Sequence, residues 1–369
     1  MRVLYFHNYP YKSEKANLIQ VKAMCQAIVN NGGEARLVLP GDFTDFIKTG
    51  EFDISVRRKI ISFKLDRFLS PFSLRTAVRR YEPDVVFLRD PIYLVWIYLF
   101  TKYKVIFESH DACLHKGSRF LNYILKFMIL RISDSDRLLR FVCISHALGD
   151  FWKEKGICNN KLIVAHDGVD LKGFGSLQDK HTAREIIGLQ NDAIVASYVG
   201  RVYPNRKLET IIEVASRFND IIFIIVGGPD TAASELEVLS RSKGIDNVKI
   251  VGQVNHDDVP TYLAASDILL GLWSDEVSTI NYCSPLKIFE YMASRRLIVA
   301  HDFPTIKEVL VDGKDAILFR YGNLDDFEAA LKRSLLCLDG GRIQQSAYDK
   351  VSQFYTWDLR IVSIFKRLL

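Results

Sequence analysis

The amino-acid sequence predicts an α/β protein made of two doubly wound domains, each with a parallel β-sheet between layers of helices. Two observations lead to this prediction. Short apolar runs rich in β-branched residues alternate with stretches of helical periodicity. The alternation then begins again after a polar, glycine-containing stretch at 167–180, which is expected to be a linker. The length of 369 residues suits two domains of ordinary size.

Six strands are expected in the first domain. Their apolar runs lie at 2–7, 35–40, 84–90, 104–110, 140–145 and 161–167. Continuous apolar character indicates burial on both faces, as in a parallel sheet covered by helices. A helix is predicted at 15–33, because its apolar residues have helical spacing and it ends in Asn-Gly-Gly, which favours a helix C-terminus.

The second domain is expected to repeat this organisation. Its strands are predicted at 193–200, 221–228, 247–252, 267–272, 297–300 and 316–319, with helical stretches between them. Such sheets bind ligands at the carboxyl ends of their strands, where helix N-termini present free N–H groups. The residues that directly follow strands are therefore the candidates for chemistry.

Composition excludes several classes of protein. Hydrophobic residues make up 49% of the chain and charged residues 25%, as in globular proteins. The apolar run at 91–100 is shorter than the roughly 20 residues needed to span a bilayer. Six cysteines are scattered without a CxxC pair and no signal peptide is recognised, so a cytoplasmic protein with reduced thiols is expected.

The segment that follows the first strand of the second domain carries three cations. Gly200 permits a turn, Arg201 stands at the strand end, and Arg206 and Lys207 precede a helix. Cations at a helix start oppose the helix dipole, so a bound diphosphate is the better explanation of this pattern. The alternative is a solvated basic loop.

The stretch YCSPLKIFEYMA, at 282–293, predicts a helix that begins near a proline. The free amides of Ser284, Leu286 and Lys287 are expected to point at a phosphate. Glu290, one turn further, is suited to accept two hydroxyl hydrogen bonds, as from a ribose. The alternative is an ordinary surface ion pair between Lys287 and Glu290.

Two further segments contribute weaker candidates. In VGGPD, at 226–230, Gly228 is expected to make a turn that contacts the same ligand pocket. After the first strand, Lys12, Lys15 and Asn17 are candidates for contacts to a second substrate or to a phosphate. No GxGxxG pattern follows that strand, which argues against a dinucleotide site.

Taken together, these segments resemble family four of the GT-B glycosyltransferases, the glycosyl transferases group 1. The resemblance lies in YVGRVYPNRKLETIIEVA, GQVNHDDVPTYLAASDILL, SPLKIFEYMASRRLIVAHDFPTIKEVLVDGKDAILF and FVCISHALGDFWKEKG. It implies two Rossmann-like domains facing a cleft: an acceptor domain at 1–170 and a donor domain at 171–353. The final helix, at 354–369, would cross back to the first domain.

The resemblance also implies a reaction and roles for residues. A sugar would move, with retention of configuration, from a nucleotide-sugar donor to an acceptor. Arg201, with Arg206 or Lys207, would neutralise the leaving diphosphate. Glu290 matches the second acid of the family's Glu-x7-Glu motif. Tyr282 stands where the first acid is usual, which leaves the contact to the donor sugar undefined.

His110, in FESHD, matches the family's active-site histidine near the reacting sugar. The family normally uses no metal or cofactor, and the nucleotide, UDP or GDP, stays open. Two metal alternatives are weak. His110, Cys113 and His115 lack a fourth ligand, and the SDSD sequence at 133–136 is a short pattern found by chance in many chains.

Charge suggests an anionic partner. Residues 1–170 contain 26 Lys and Arg against 18 Asp and Glu, a net charge of +8, whereas the remainder has a net charge of −3. Basic amphipathic stretches at 57–81 and 116–133 are typical of peripheral membrane binding, although the second also suits an ordinary packing helix. An anionic membrane on the cytoplasmic side is expected, and no nucleic acid.

The predicted function is therefore a retaining, metal-independent glycosyltransferase that acts on a glycan or lipid-linked acceptor in bacterial-type surface polysaccharide or glycoconjugate assembly. Two alternatives remain. A sugar-nucleotide epimerase uses the same fold but needs additional acid and base carboxylates. A binding subunit with weakened catalysis would explain Tyr282 and the absence of a Gly-Gly loop after the first strand.

Overall fold

The computed structural model describes residues 1–8, 16–41, 45–48, 51–58, 71–115, 117–175, 178–366 and 368. It divides the chain into two compact units. The first contains Met1–Asp167 and Trp357–Leu369, and the second contains Gly168–Thr356. The predicted domain junctions, 170/171 and 353/354, each lie three residues from the junctions of these units.

The first unit is built on an eight-stranded sheet. Its strands are β1 Arg2–Phe6, β2 Glu34–Gly41, β3 Asp45–Lys48, β4 Asp53–Arg58, β5 Val85–Leu88, β6 Lys104–Ser109, β7 Leu138–Cys143 and β8 Leu162–Val164. They are ordered β3-β4-β2-β1-β5-β6-β7-β8, and every neighbouring pair is parallel except β3 with β4. The direction of winding changes between β1 and β5, which is where such sheets form binding crevices.

The six predicted strands of this domain are confirmed, but the sequence did not predict β3 and β4. β4 has the sequence DISVRR, in which apolar and polar residues alternate before two arginines. β3 is only four residues long and lies at the sheet edge, where a strand does not need a continuous apolar run. A prediction that searches for continuous apolar runs therefore misses both the short β3 and the alternating β4.

Helices cover this sheet, and some of them are capped by short polar side chains. They are α1 Ala16–Asn30, α2 Pro71–Tyr81, α3 Pro91–Phe100, α4 Arg119–Ser133 and α5 His146–Glu154. At the start of α3 the carboxylate of Asp90 accepts a hydrogen bond from the N–H of Ile92, and a proline takes the first helical position. Ser118 and Ser145 cap α4 and α5 in the same way.

The second unit contains a six-stranded sheet in which all neighbours are parallel. Its strands are β9 Ile194–Val199, β10 Ile221–Val226, β11 Val248–Gly252, β12 Ile268–Gly271, β13 Leu297–His301 and β14 Ile317–Phe319, in the order β11-β10-β9-β12-β13-β14. All six predicted strands are present. The central strands β9 and β10 are almost wholly buried, as their apolar sequences predict.

The helices of the second unit follow in chain order. They are α6 Leu171–Gly175, α7 Lys180–Ile187, α8 Glu209–Ala215, α9 Asp230–Ser242, α10 Val259–Ala265, α11 Leu286–Ala293, α12 Pro304–Lys307, α13 Leu324–Leu335 and α14 Arg342–Phe354. The expected linker at 167–180 is thus wrong in part, since it contains the short helix α6. The last helix, α15 Trp357–Phe365, belongs to the first unit and packs on α1.

Candidate functional site

Two glycine turns form the floor of the candidate site in the second unit. Gly200 follows β9, and its N–H donates to the carbonyl of Val226, 2.9 Å away. Gly227 follows β10 with a φ of +137°, and a Cβ on it would overlap the carbonyl of Gly200. Because the two turns meet backbone to backbone, a side chain is excluded at Gly227.

The start of α11 is held against the end of β9. The Tyr291 hydroxyl accepts a hydrogen bond from the N–H of Val199 at 3.0 Å and donates to the carbonyl of the same residue at 2.9 Å. A Cβ added to Gly200 would lie 2.7 Å from Nζ of Lys287, on the first turn of the helix. The N-terminus of α11 therefore lies directly beside the glycine turn.

Lys287 is enclosed by aromatic groups. Its Nζ donates to the Tyr198 hydroxyl at 2.8 Å and lies 4.0 Å from the centre of that ring and 5.0 Å from the ring of Trp273. Burial, and then the nearby charge of Arg206, lower the pKa of Lys287 well below its usual range. The alternative of a surface ion pair is not supported, since no ion pair joins Lys287 to Glu290 in the described part of the chain.

The three cations after β9 have different surroundings. Arg201 is exposed, and its Nη1 donates to the Tyr203 hydroxyl at 2.5 Å. Lys207 forms an ion pair with Glu276, Nζ to Oε1 at 2.8 Å, and that hydrogen bond raises the pKa of Lys207. Neither cation lies among the groups whose charge shifts the pKa of Lys287.

Arg206 differs from both neighbours. Its guanidinium carbon lies 6.0 Å from the centre of the Trp273 ring. Within the described residues, its Nε and Nη1 are buried without a hydrogen-bonding partner. Buried charged donors are costly unless they are paired. Arg206 and Lys287 thus form a positively charged site in which two guanidinium nitrogens have no hydrogen-bonding partner among the described residues.

Glu290 lies one turn beyond Lys287 and is partly buried. Burial raises the pKa of its carboxyl, whereas the charges of His256 and Lys287 lower it. Its carboxylate has no hydrogen-bonding partner among the residues that the structure describes. The group is therefore available to accept hydrogen bonds from a ligand.

The remaining donor candidates surround the same helix start. Pro285 is the N-cap rather than the first helical residue, so α11 begins at Leu286, and the carbonyl of Pro285 accepts from the N–H of Ile288. Ser284 is buried just before it. Gly228 lies against Gln253, and its carbonyl accepts a hydrogen bond from the N–H of Val202, 2.8 Å away.

In the first unit, a pocket of about 240 Å³ lies at the carboxyl ends of β1, β5 and β6. It is lined by Phe6, His7, Asn8, Asn17, Arg89, Asp90, Pro91, Phe107, Ser109, His110, Asp111, Cys113 and Leu114. The predicted residues Asn17 and His110 therefore belong to one pocket. Lys12 and Lys15 lie outside the described residues.

The imidazole of His110 is bonded on both sides. Nδ1 lies 3.0 Å from Nη2 of Arg89, and Nε2 contacts Oε1 of Glu108. Arginine can only donate, so Nδ1 is the acceptor and Nε2 carries the proton. Burial, and then the charge of Arg89, lower the pKa of His110 to about 4, so the ring is neutral near pH 7. A proton transfer at His110 would have to break one of these contacts.

Neither candidate metal site has a set of ligands among the described residues. Among the described residues, no group of three or more His, Cys, Asp or Glu side chains is placed to hold a metal ion. Cys113 lines the pocket beside His110, whereas His115 does not line it. Asp134 of the SDSD sequence is the C-cap of α4.

The sequence did not predict several residues that belong to the two sites. Tyr198 and Trp273 enclose Lys287, but each reads as a buried aromatic residue at a strand end. Glu108 and Arg89 carried a usable signal, because a charged side chain in or directly after an otherwise apolar strand must find a partner. That rule identifies the residues but does not identify their partners.

Comparison with known proteins gives two family matches. Residues 19–172 match the model described as Glycosyltransferase Family 4, and residues 193–336 match the model described as Glycosyl transferases group 1. Alpha-D-kanosaminyltransferase from Streptomyces kanamyceticus is 31% identical over 159 residues, which are 41% of this chain and 39% of that protein. The chain spans less than half of the length of the curated relatives that it matches.

Solved structures match over the whole chain. Sucrose-phosphate synthase from Thermosynechococcus elongatus has a TM-score of 0.77 at 14% identity, covering 100% of this chain and 98% of that one. Anabaena HepE, solved in complex with UDP and glucose, has a TM-score of 0.75 at 16% identity and covers 100% and 99% of the two chains. At these identities the likeness is one of fold.

Proposed function

Since this chain belongs to the GT-B glycosyltransferases, with a family 4 segment followed by a group 1 segment, we propose that it transfers a sugar from a nucleotide-sugar donor with retention of configuration. The acceptor is a glycan or a lipid-linked glycan, in bacterial-type surface polysaccharide or glycoconjugate assembly. The second unit takes the donor, and the pocket of the first unit takes the acceptor.

The observation that supports a nucleotide diphosphate is the uncompensated charge of Arg206. Its buried Nε and Nη1 have no partner in the described part of the chain, and it lies close enough to Lys287 to depress the pKa of that lysine. Two cations brought together in a partly buried site repel each other unless an anion separates them. A diphosphate satisfies the guanidinium donors and restores the charge balance.

The N-terminus of α11 completes this site. The amides of Leu286 and Lys287 begin the helix, and the Gly200 turn lies directly beside them, so that the backbone can approach a phosphate closely. Glu290 then lies one turn away with a free carboxylate for the ribose hydroxyls. In catalysis, Arg206 and Lys287 stabilise the negative charge that develops on the leaving diphosphate. No divalent metal is required for this role, so we propose a metal-independent reaction.

The choice between Arg206 and Lys207 follows from their partners. Lys207 is paired with Glu276, whereas the guanidinium of Arg206 is available. We assign the diphosphate to Arg206, with Arg201 as a second contact that ligand binding would recruit from the surface. Lys207 then serves to hold the loop.

Binding of nucleotide diphosphates by calorimetry tests this proposal. UDP, GDP and ADP are compared first, with UDP as the initial probe because a fold neighbour was solved with it. Arg206→Gln should weaken binding about tenfold to a hundredfold, the scale of one hydrogen bond to a charged group. Lys207→Gln is the matched control and should bind within about threefold of wild type. Equal binding by wild type and Arg206→Gln would refute the assignment.

The ribose contact is tested in the same assay. Glu290→Gln keeps the size of the side chain but removes its charge, so binding of UDP should weaken about tenfold while the unfolding temperature stays close to that of wild type. Slow release of UDP from a nucleotide-sugar would then separate a transferase from a binding subunit. Interconversion of free sugar nucleotides would instead support the epimerase.

We also propose that the first unit binds an anionic membrane surface. On α4 the side chains of Phe120 and Tyr123 are 74% and 71% exposed, and Phe127 is 48% exposed. Leu99 and Phe100, at the end of the neighbouring helix α3, are exposed as well. Exposed apolar residues of this size on one surface favour insertion into a lipid interface.

Cations lie among these apolar groups. Arg119, Lys126 and Arg131 belong to α4, and the guanidinium of Arg131 lies 5.4 Å from the centre of the Phe127 ring. Anionic lipids attract such cations while the aromatic rings insert. In the other basic stretch, 57–81, residues 59–70 lie outside the described residues, so α4 carries the proposal. No helix in the described ranges is long and apolar enough to cross a membrane.

A further inference from the structure

A chain of buried charged groups connects the last helix of the protein to the pocket of the first unit. Arg360, on α15, is 3% exposed and reaches Glu108, which is wholly buried on β6. Glu108 in turn contacts His110 in the pocket wall. The residues lie 252 positions apart in sequence, so only the folded chain brings Arg360 to this site.

Arg360 uses its guanidinium on several acceptors at once. Nη1 lies 3.0 Å from Oε2 of Glu108, and Nε lies 2.8 Å from the carbonyl oxygen of His166. Nη2 lies 3.2 Å from the carbonyl oxygen of Ala165 and 3.8 Å from Oδ1 of Asp167. This fork fixes both the helix and the carboxylate, and a lysine ammonium cannot reproduce its geometry.

Glu108 divides its two oxygens between the helix and the pocket. Oε2 faces Arg360, whereas Oε1 faces His110 and lies 3.4 Å from Nε of Arg89. Burial raises the pKa of Glu108, but the charge of Arg360, the hydrogen bond from His110 and the charge of Arg89 hold it well below its usual range, so it remains ionised. An ionised carboxylate at Nε2 requires a proton on that nitrogen.

The other side of the imidazole is fixed through α1. Nη2 of Arg89 contacts Nδ1 of His110 and also donates to Oε1 of Gln20, 2.9 Å away. The amide of Gln20 donates to Asp167, which returns the network to the neighbourhood of Arg360. These hydrogen bonds, together with the ion pair between Arg360 and Asp167, close a ring of contacts. Its members His110 and Arg89 line the pocket, and Arg360 lies on the last helix.

We propose that Arg360 is a positioning residue for His110: through Glu108 it fixes the Nε2–H tautomer and the orientation of the imidazole, so that packing of α15 sets the geometry of the pocket wall. The proposal rests on the proposed function only in its consequence for catalysis. The tautomer and the ring orientation are properties of the protein itself and can be measured without substrate.

The first test is the tautomer of His110 by long-range ¹H–¹⁵N NMR on protein labelled at histidine. The signal is assigned by its loss in His110→Gln. Wild type should show a neutral His110 with the proton on Nε2. Arg360→Lys keeps the charge but not the fork, and Glu108→Gln keeps every carbonyl contact of Arg360. Both variants should give a mixture of tautomers at His110.

A matched control separates positioning from general loss of stability. Arg184, in the second unit, is also buried, with Nη2 2.6 Å from Oδ2 of Asp267 and Nε 2.9 Å from the carbonyl oxygen of Ala265. Arg184→Lys should lower the unfolding temperature as Arg360→Lys does, but should leave the His110 signal unchanged. An unchanged His110 signal in both Arg360→Lys and Glu108→Gln overturns the proposal.

Turnover supplies the second readout. With the nucleotide-sugar selected by the binding screen, Arg360→Lys should lower kcat by about a hundredfold, the scale for misplacing a group in an active site. Its affinity for UDP should stay within about twofold of wild type, because the nucleotide binds to the second unit. If the variants change the tautomer of His110 but the wild-type protein shows no transfer, the positioning role of Arg360 stands and the proposed function is refuted. If Arg360→Lys fails to fold, Glu108→Gln decides both readouts.

Discussion

The pH dependence of stability in the first unit provides a test of the buried ring. Asp167 is buried beside Gln20, Arg360, Glu108 and Arg89. Burial raises the pKa of its carboxyl from 3.8 to about 7, against the opposing charge of Arg360. The folded protein therefore binds a proton at Asp167 in a pH range where the unfolded chain has released it.

The sign of the effect follows from proton binding. Between pH 4 and 7 the folded state holds one proton more than the unfolded state at this residue, so the free energy of unfolding falls as the pH rises. A pKa difference of about 3 units corresponds to about 4 kcal/mol over the whole window. This stabilisation is complete below the pKa of the unfolded chain and is lost as the pH approaches 7.

Asp167→Asn removes the titration but keeps an oxygen to accept the hydrogen bond from Gln20. We expect the variant and wild type to differ little near pH 4, and the variant to become more stable than wild type by up to about 4 kcal/mol at pH 7. Hydrogen exchange of amides in β6 and β7, followed by mass spectrometry, reports on the first unit alone, as a protein with two units requires.

The contrary result has a clear structural meaning. Nη2 of Arg360 lies 3.8 Å from Oδ1 of Asp167, within ion-pair distance. If that pair keeps Asp167 ionised in the folded state, the stability curves of wild type and Asp167→Asn will run parallel between pH 4 and 7. A parallel course would refute the raised pKa, and the ring would then hold two carboxylates against two arginines at all these pH values.

Three further predictions follow from the other sites. Gly227→Ala should destabilise the second unit by about 1–3 kcal/mol, because its Cβ meets the backbone of Gly200. Differential scanning calorimetry would detect this as a lower unfolding temperature. The control is Gly244→Ala, which also has a positive φ, +65°, but whose Cβ lies in open space. Transfer should persist in excess EDTA, and loss that only added magnesium or manganese restores would contradict the metal-independent reaction. The double variant Phe120→Ser/Tyr123→Ser should sediment less with anionic vesicles than wild type does. The control Val238→Ser, at a residue of the second unit that is 67% exposed, should sediment as wild type does. Equal sedimentation of all three proteins would refute the proposed membrane binding.

Most of the fold could be predicted because its strands carry their own signal. β10, with the sequence IIFIIV, is apolar at every position and can only be a buried strand between helices. β4 could not be predicted in this way, because apolar and polar residues alternate in its sequence DISVRR, next to the short edge strand β3. Its place in the sheet depends on pairing with β2, which is a property of the folded chain.

The candidate sites were predictable in position but not in contacts. Gly200 and His110 follow strands, and the strand ends of a parallel sheet form a common edge. The ring around His110 depends on Arg360, which reads in the sequence as one cation in a short amphipathic helix. Nothing local distinguishes it from a solvated arginine, because its partners come from three other parts of the chain, at Met24, at Glu108 and at 165–167.

The adjacent cations Arg206 and Lys207 illustrate why residue type alone does not assign a role. Pro204–Arg206 form a short 3₁₀ turn, and Lys207 follows it in a left-handed conformation with φ +54°. This change of backbone direction sends the lysine to Glu276, whereas Arg206 lies over Trp273. Charge alone does not distinguish the two residues, since both are positively charged and lie in the same loop. The backbone distinguishes them, and it leaves the planar, multi-donor guanidinium of Arg206 available to the diphosphate that we propose.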